Sequence, residues 1–298
     1  MKRIEVSEAS TQCGSKISST DAIGTSGLVC RTATAIMSRL PQELIDRTID
    51  HVDDRKSLKT CSLVSSRWSH RSQKHLFAQV EFTSQRDLER WCACIRPGPS
   101  GPSFLVEHLI LSEGRFSRVR SPSWIASSTV TDAAPHFQSL SALRELEVRG
   151  WHMVTTCVVS MLHSFGSSLR NVTRLTLRGV VVQVIHHSTL RMFFGHFPRL
   201  DDLSILAINP YSMRFIRHIR EVDPAIRSEI VPTHPRGEFS AYQVPRRVFE
   251  VITLLEPRFH RVILDCDSYE SWSDYWPLVE ACAGSLEELH ILANSTGE

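Results

Sequence analysis

Residues 143–148 read LRELEV and residues 172–177 read VTRLTL, the same spelling 29 residues apart: an apolar side chain followed at +3 and +5 by two more. The last two apolar positions alternate with polar ones, the period of a strand that buries one face. Outward from this pair the pattern recurs as FAQVEF from 77, VEHLIL from 106, LDDLSI from 200, FSAYQV from 239, FHRVIL from 259 and LEELHI from 286. FSAYQV is the weakest member. Most successive starts lie about 28 residues apart or slightly more, the signature of a repeated supersecondary unit that buries its apolar face against its neighbours.

Between these strands lie apolar residues at helical spacing. Leu88, Trp91, Cys92 and Ile95 form one face, behind a Ser84-x-x-Asp87 capping box. Val158, Met161, Leu162 and Phe165 form another, which Gly166 ends. Leu190, Phe193, Phe194 and Phe197, then Val248, Val251, Ile252 and Leu255, and last Trp272, Tyr275, Trp276 and Val279 continue the series. A helix after each strand calls for parallel strands with helices on one side of the sheet. Segments 112–137 and 207–238 break the period and are expected to be longer irregular connections.

The front of the chain has a different grammar. In LPQELIDRTIDHV (residues 40–52), Leu44, Ile45, Thr48, Ile49 and Val52 fall within one arc of roughly 140° at about 100° per residue. Pro41 stands where a first-turn proline is tolerated, and Glu43 and Asp46 suit the positive end of the helix dipole. DDRKS (53–57) supplies an acidic cap for a second helix, and Ser65-Ser66 supplies one for a third, RWSHRSQKHLF. Three short helices in about 40 residues bury too little surface to stand alone. They require the rest of the chain, a partner, or both.

Taken in order, Leu40-Pro41, Glu43-Leu44-Ile45, Ile49, Leu58, the Cys61-Ser62-Leu63-Val64 run, Trp68 and the closing Leu76-Phe77 resemble an F-box. Thr48 and Ser66 depart from the family pattern, which favours an aliphatic and a basic residue there. The resemblance implies a segment that binds a Skp-family adaptor and, through it, a cullin-RING ubiquitin ligase. By matching positions, Leu40, Pro41, Leu44, Ile45, Ile49, Leu58, Val64 and Trp68 would form or support that interface. The strand-helix units behind it resemble degenerate leucine-rich repeats, since the Asn or Cys expected after the strand is mostly missing. The expected architecture is therefore mixed α and α/β: a disordered leader over residues 1–37, a three-helix F-box over 38–77, and a strand-helix solenoid over 78–298.

In such strands, residues alternating with the core positions face the open side of the sheet. His108, Glu145, Arg174, Asp202, Arg261 and Glu288 form one predicted row, and Glu145, Arg174 and Asp202 alternate in charge, which favours cross-strand pairing. A second row reads Ser112, Arg149, Arg178, Leu206, Asp265 and Leu292. Arg149 beside Arg178 repels without a partner, so this pair is the candidate target-binding element, suited to an acidic segment.

Composition narrows the alternatives. With 34 Lys and Arg against 32 Asp and Glu in 298 residues, the charge balance gives no general case for nucleic acid or an anionic membrane, although RFSRVRS (115–121) and MRFIRHIR (213–220) are basic. No apolar run reaches the roughly 18 residues of a membrane span, and no signal peptide opens the chain, so a cytoplasmic or nuclear location is expected. Eight scattered cysteines, with Cys92 and Cys94 on a predicted helix, read as reduced structural thiols. No GxSxG, phosphate-binding glycine loop or HExxH is present, and His186-His187 lacks a third ligand, so no cofactor or metal is expected. The chain is expected to be a non-catalytic substrate-recognition subunit, with a scaffold that does not support ubiquitin transfer as the alternative.

Overall fold

The computed structural model describes residues 40–97, 101–113, 124–126, 128–153, 155–179, 181–182, 187–206, 234–242, 244, 246–266 and 272–293. The expected leader, both basic runs and most of the second irregular connection lie outside these residues. The chain divides into two units, Met1–Arg47 and Thr48–Glu298.

In the first unit the chain enters helix α1 (Gln42–Asp50). Pro41 stands one residue before the helix rather than within its first turn. Its carbonyl accepts from the N–H groups of Leu44 and Ile45 at 3.2 and 3.3 Å, satisfying two donors that a helix start leaves without intrahelical partners. Gln42 Nε2 donates to Asp46 Oδ1 at 2.8 Å one turn on.

In the second unit, helices α2 (Arg55–Val64) and α3 (Ser66–Phe77) are joined by Ser65 alone. Asp54 caps α2 as the sequence predicts, its carboxylate accepting from the Ser57 N–H at 2.8 Å and from the Ser57 hydroxyl at 2.9 Å. Ser65 does not cap α3 through its side chain. Its backbone carbonyl instead accepts from Trp68 and Ser69 at 3.1 and 2.9 Å. Arg71 grips the Asp50 carboxylate through Nε and Nη2 at 2.6 and 2.7 Å, and His75 Nε2 lies 2.7 Å from the same group.

Helix α3 runs directly into the sheet, because Ala78 is its C-cap and its carbonyl accepts from the N–H groups of Glu107 and His108. Phe77 meets Trp91 edge-on at 6.1 Å, and Trp91 meets Phe82 at 5.7 Å. The helices that are too small to stand alone therefore continue into the first repeat.

Eight described strands form one parallel sheet: β1 (Gln79–Phe82), β2 (His108–Ser112), β3 (Glu145–Arg149), β5 (Arg174–Arg178), β7 (Asp202–Leu206), β8 (Glu238–Tyr242), β9 (Arg261–Cys266) and β10 (Glu288–Ala293). Each lies beside the next in the chain, and the short strands β4 (His152–Met153) and β6 (Val181–Val182) pair separately. Helices α4 (Gln85–Cys94), α5 (Ser128–Asp132), α6 (Ala134–Gln138), α7 (Thr155–Phe165), α8 (His187–Gly195), α9 (Arg246–Thr253) and α10 (Trp272–Cys282) lie in the connections. This order is compatible with an α/β solenoid.

The core is built by register. Leu109, Leu146, Leu175, Leu203, Phe239 and Val262 are paired across successive strands, and all are buried. The helical faces predicted on α7, α8 and α9 are buried opposite them, including Val158, Met161, Phe165, Phe193 and Val251. Two predicted alignments shift. Leu203 pairs with Phe239, so FSAYQV is read three residues out of phase: Phe239 is the second apolar position of its unit, not the first, and Ala241 rather than Tyr242 is buried. On α10, Trp276 is exposed while Leu278 and Cys282 are buried, since the face is set by what packs on it rather than by side-chain size.

Glycines occupy the turn after two of the strands. Gly150 and Gly179, at φ +67° and +60°, follow β3 and β5, and their N–H groups donate to Arg178 and Leu206 carbonyls on the next strand. A Cβ at Gly150 would stand 2.9 Å from the Glu113 carbonyl oxygen, so the turn excludes a side chain twice over, by conformation and by space.

Candidate docking surfaces

Two kinds of surface stand out, one apolar and one charged. The structure separates the residues expected to meet an adaptor into exposed and interior ones. In the first unit, Leu44 is 49% exposed and Pro41 is exposed, whereas Ile45 is 1% exposed. Leu40 is half-buried. In the second unit Ile49 and Leu58 are buried and Trp68 is half-buried, while Val64 is 53% exposed. Ile45, Ile49 and Leu58 are thus interior side chains and cannot serve as direct contacts; they can only support a surface. Sequence reasoning passed over Leu63, which at 86% exposed is the most accessible large apolar side chain described. Its signal was present in the quoted Cys61-Ser62-Leu63-Val64 run. Two adjacent aliphatic residues at a helix end lie about 100° apart, so one helix flank presents both.

The open face of the sheet carries the predicted charge row, with one addition. Register places His108, Glu145, Arg174, Asp202, Glu238, Arg261 and Glu288 side by side. Arg174 bridges Glu145 at 2.7 Å and Asp202 at 3.1 Å. Arg261 bridges Glu238 at 3.3 Å and Glu288 at 3.1 Å. The two neighbouring acids at the junction, Asp202 and Glu238, are reconciled by a backbone donor: the Glu238 N–H gives Asp202 Oδ1 a 2.8 Å hydrogen bond. Each arginine of the row is shared by two flanking acids, so the row keeps more carboxylates than guanidinium groups and has the character of structural cross-strand pairing.

The second row corrects an expectation. Arg149 and Arg178 are neighbours in register. Arg149 nevertheless has partners, since its Nε and Nη2 donate to the two Glu147 oxygens at 2.6 and 2.8 Å and its Nη1 donates to Glu81 at 3.1 Å. Glu147 beside it pushes the guanidinium pKa up from its ordinary value. The bridge to Glu81 spans β2, where Ile110 stands between Glu81 and Glu147 and is buried. Arg149 is therefore a strut of the sheet and not an unsatisfied cation. Arg178 is exposed and forms no ion pair among the described residues.

Other chemistry is sparse. Asp50, held by Arg71 and His75, has its carboxyl well below the usual carboxylate range. Burial pushes the Cys282 thiol up to about 11, and burial also raises Cys92. Among the described residues no group of three or more His, Cys, Asp or Glu side chains is placed to hold a metal ion, and no helix is long and apolar enough to cross a membrane. The His186-His187 side chains lie outside the described residues.

No protein-family model matches the chain. Over 99 residues it is 28% identical to the F-box protein COS111 of Kluyveromyces lactis, a stretch covering 33% of this chain and 14% of that protein. The chain thus spans about a seventh of the length of the curated relative it matches. The comparison supports kinship with an F-box protein over a third of the chain.

Proposed function

We propose that this chain is a non-catalytic substrate-recognition subunit of an SCF-type cullin-RING ubiquitin ligase, residues 38–77 acting as an F-box on a Skp-family adaptor and residues 78–298 as a leucine-rich-repeat-like solenoid that holds a protein target. The observation that carries the reading is the exposure of Leu63 and Val64 at the end of a ten-residue helix, in a chain similar to an F-box protein. Aliphatic side chains left in water contribute on the order of 1.5–3 kcal/mol each once a partner covers them. In the first unit Pro41 and Leu44 are the direct contacts, with Leu40 beside them and Ile45 holding the helix that presents them; in the second unit Leu63 and Val64 are the direct contacts, Trp68 supports them, and Ile49 and Leu58 hold the helices. On the target side, Arg178 replaces the Arg149–Arg178 pair as the cation offered to an acidic segment. The location that follows from this role is cytoplasmic or nuclear.

Co-expression of the intact chain with a Skp-family adaptor tests the proposal. Wild type is expected to co-purify with the adaptor, and Leu63→Ser/Val64→Ser to lose it while keeping its far-ultraviolet circular dichroism. Failure of the folded wild-type chain to retain the adaptor sinks the F-box role. Retention of the adaptor without any change in the lifetime of a bound target turns the chain into a scaffold.

A further inference from the structure

The repeat that builds the core also stacks the residues just ahead of each strand. Ser141, Arg170 and Pro198 each stand four positions before Glu145, Arg174 and Asp202, and those three residues are paired in register. Asn171 and Arg199 stand one position later. Adjacent parallel strands are about 4.8 Å apart, so residues at equivalent repeat positions form a column along the leading edge of the sheet. Arg170 and Arg199, exposed residues of successive repeats that stand in adjacent columns, both line one open cleft of about 570 Å³.

The cleft is lined by Gln138, Ser141, Ser167, Arg170, Asn171 and Arg199, with Ser168 and Pro198 completing it. No carboxylate and no aromatic ring is among these residues. Its frame is fixed by internal bonds: the Ser168 hydroxyl, buried, donates to the Phe137 carbonyl at 2.7 Å. Asn171 Nδ2 donates to the Ser141 carbonyl at 3.2 Å and Asn171 Oδ1 accepts from Arg199 Nη1 at 3.4 Å. The remaining donors are uncommitted. Among the described residues, the Arg170 guanidinium, the Ser141 and Ser167 hydroxyls and the Gln138 amide form no side-chain hydrogen bond.

We infer that this cleft is an oxyanion site for a phosphate monoester, seated between Arg170 and Arg199 and hydrogen-bonded by the serine hydroxyls and the Gln138 amide. Two guanidinium groups of fixed fork geometry supply paired N–H donors to a dianion, and the neutral donors take its remaining oxygens. A monocarboxylate has too few acceptors to engage both arginines and the hydroxyls together. A nucleobase finds no aromatic side chain on which to stack. The same chemistry is presented by free inorganic phosphate and by a phosphorylated side chain.

Isothermal titration of the intact chain with inorganic phosphate and with O-phospho-L-serine, at constant ionic strength set with chloride, tests the site. Saturable binding is expected for the wild-type chain, and Arg170→Gln/Arg199→Gln is expected to weaken it roughly tenfold or more, because each arginine makes a charge-assisted bond. Arg258→Gln, an exposed arginine ahead of β9 and outside the cleft, is expected to bind as wild type does. Tighter binding of O-phospho-L-serine identifies a displayed phosphate as the natural form, and tighter binding of inorganic phosphate identifies the free anion. Equal affinity of the wild-type chain and the double arginine variant, equal weakening by Arg258→Gln, or the absence of saturation with either probe overturns the site.

Discussion

Within the second unit, helices α2 and α3 and the sheet behind them use apolar residues in opposite ways. The sheet commits the apolar rows of its inner strands to its interior: Leu146, Leu175, Leu203, Phe239 and Val262 are paired in register and buried, and only the last described strand, β10, leaves Leu289, Ile291 and Leu292 exposed. The two helices bury Leu58 and Leu76 but leave Leu63 and Val64 in solvent. A repeat array covers each inner apolar row with the next repeat, so the leucines of those rows are spent on folding. A pair of short helices has one inward side only, and leucine or valine elsewhere on it is surface. The difference separates residues that stabilise the chain from residues available to something outside it.

The sharpest way to break that contrast is to truncate one residue of each kind. Leu175→Ala in the middle of the sheet is expected to cost about 3 kcal/mol, a cavity left among fixed neighbours, as measured by urea unfolding. Leu63→Ser should change stability by no more than about 0.5 kcal/mol in the same experiment. If the two costs are similar, Leu63 is a structural residue and the separation fails. The next largest effect belongs to adaptor capture, where Leu63→Ser/Val64→Ser is expected to abolish co-purification and Leu175→Ala to spare it wherever the variant remains folded.

Smaller effects come from the charged rows. Arg174→Met leaves Glu145 and Asp202 without their shared cation. Because Arg174 is half in solvent, the loss is expected to be about 1 kcal/mol or less and to shrink in 1 M salt, a dependence that denaturation at two ionic strengths measures. Asp50 gives the smallest change and the clearest pH signature. Its folded carboxyl titrates below the ordinary 3.8, so the Arg71 and His75 contacts add stability above that pH and lose it as the pH falls through and below it. Asp50→Asn is therefore expected to lower the melting temperature slightly at pH 7, with the gap to wild type closing below about pH 4.

Much of the fold was legible because strand burial and helix spacing are both written locally. All eight predicted strands are present, and seven keep their apolar phase. The exception, FSAYQV, has apolar residues at several offsets, and only pairing of Leu203 with Phe239 selects the phase. The capping of α2 by Asp54 and of α4 by Ser84, which accepts from the Asp87 N–H at 3.2 Å, was readable for the same local reason. The far half of the predicted box was not: the Asp87 carboxylate accepts from the Thr83 N–H and hydroxyl, one residue ahead of the cap, rather than from the Ser84 N–H.

The surfaces were less legible. Leu44 and Ile45 lie on one apolar arc, and a helical wheel cannot say which of them is buried. Arg149 looked unpaired because Glu81 is 68 residues away and reaches it only across the sheet. The cleft lined by Ser141, Arg170 and Arg199 was equally invisible, since none of these residues belongs to the strand or helix pattern.

The sequence by itself determined the parallel strand-helix order, the buried rows and the alternating charges of Glu145, Arg174 and Asp202, because each follows from spacing along one segment and from repetition of that segment. Tertiary structure alone decided that Leu63 and Val64 stay in water while Ile49 and Leu58 do not, that Arg149 is braced by two glutamates, and that two arginines of successive repeats share a cleft. Those outcomes depend on which distant segments come within a few ångströms of one another, and that distance is set by packing rather than by position in the chain.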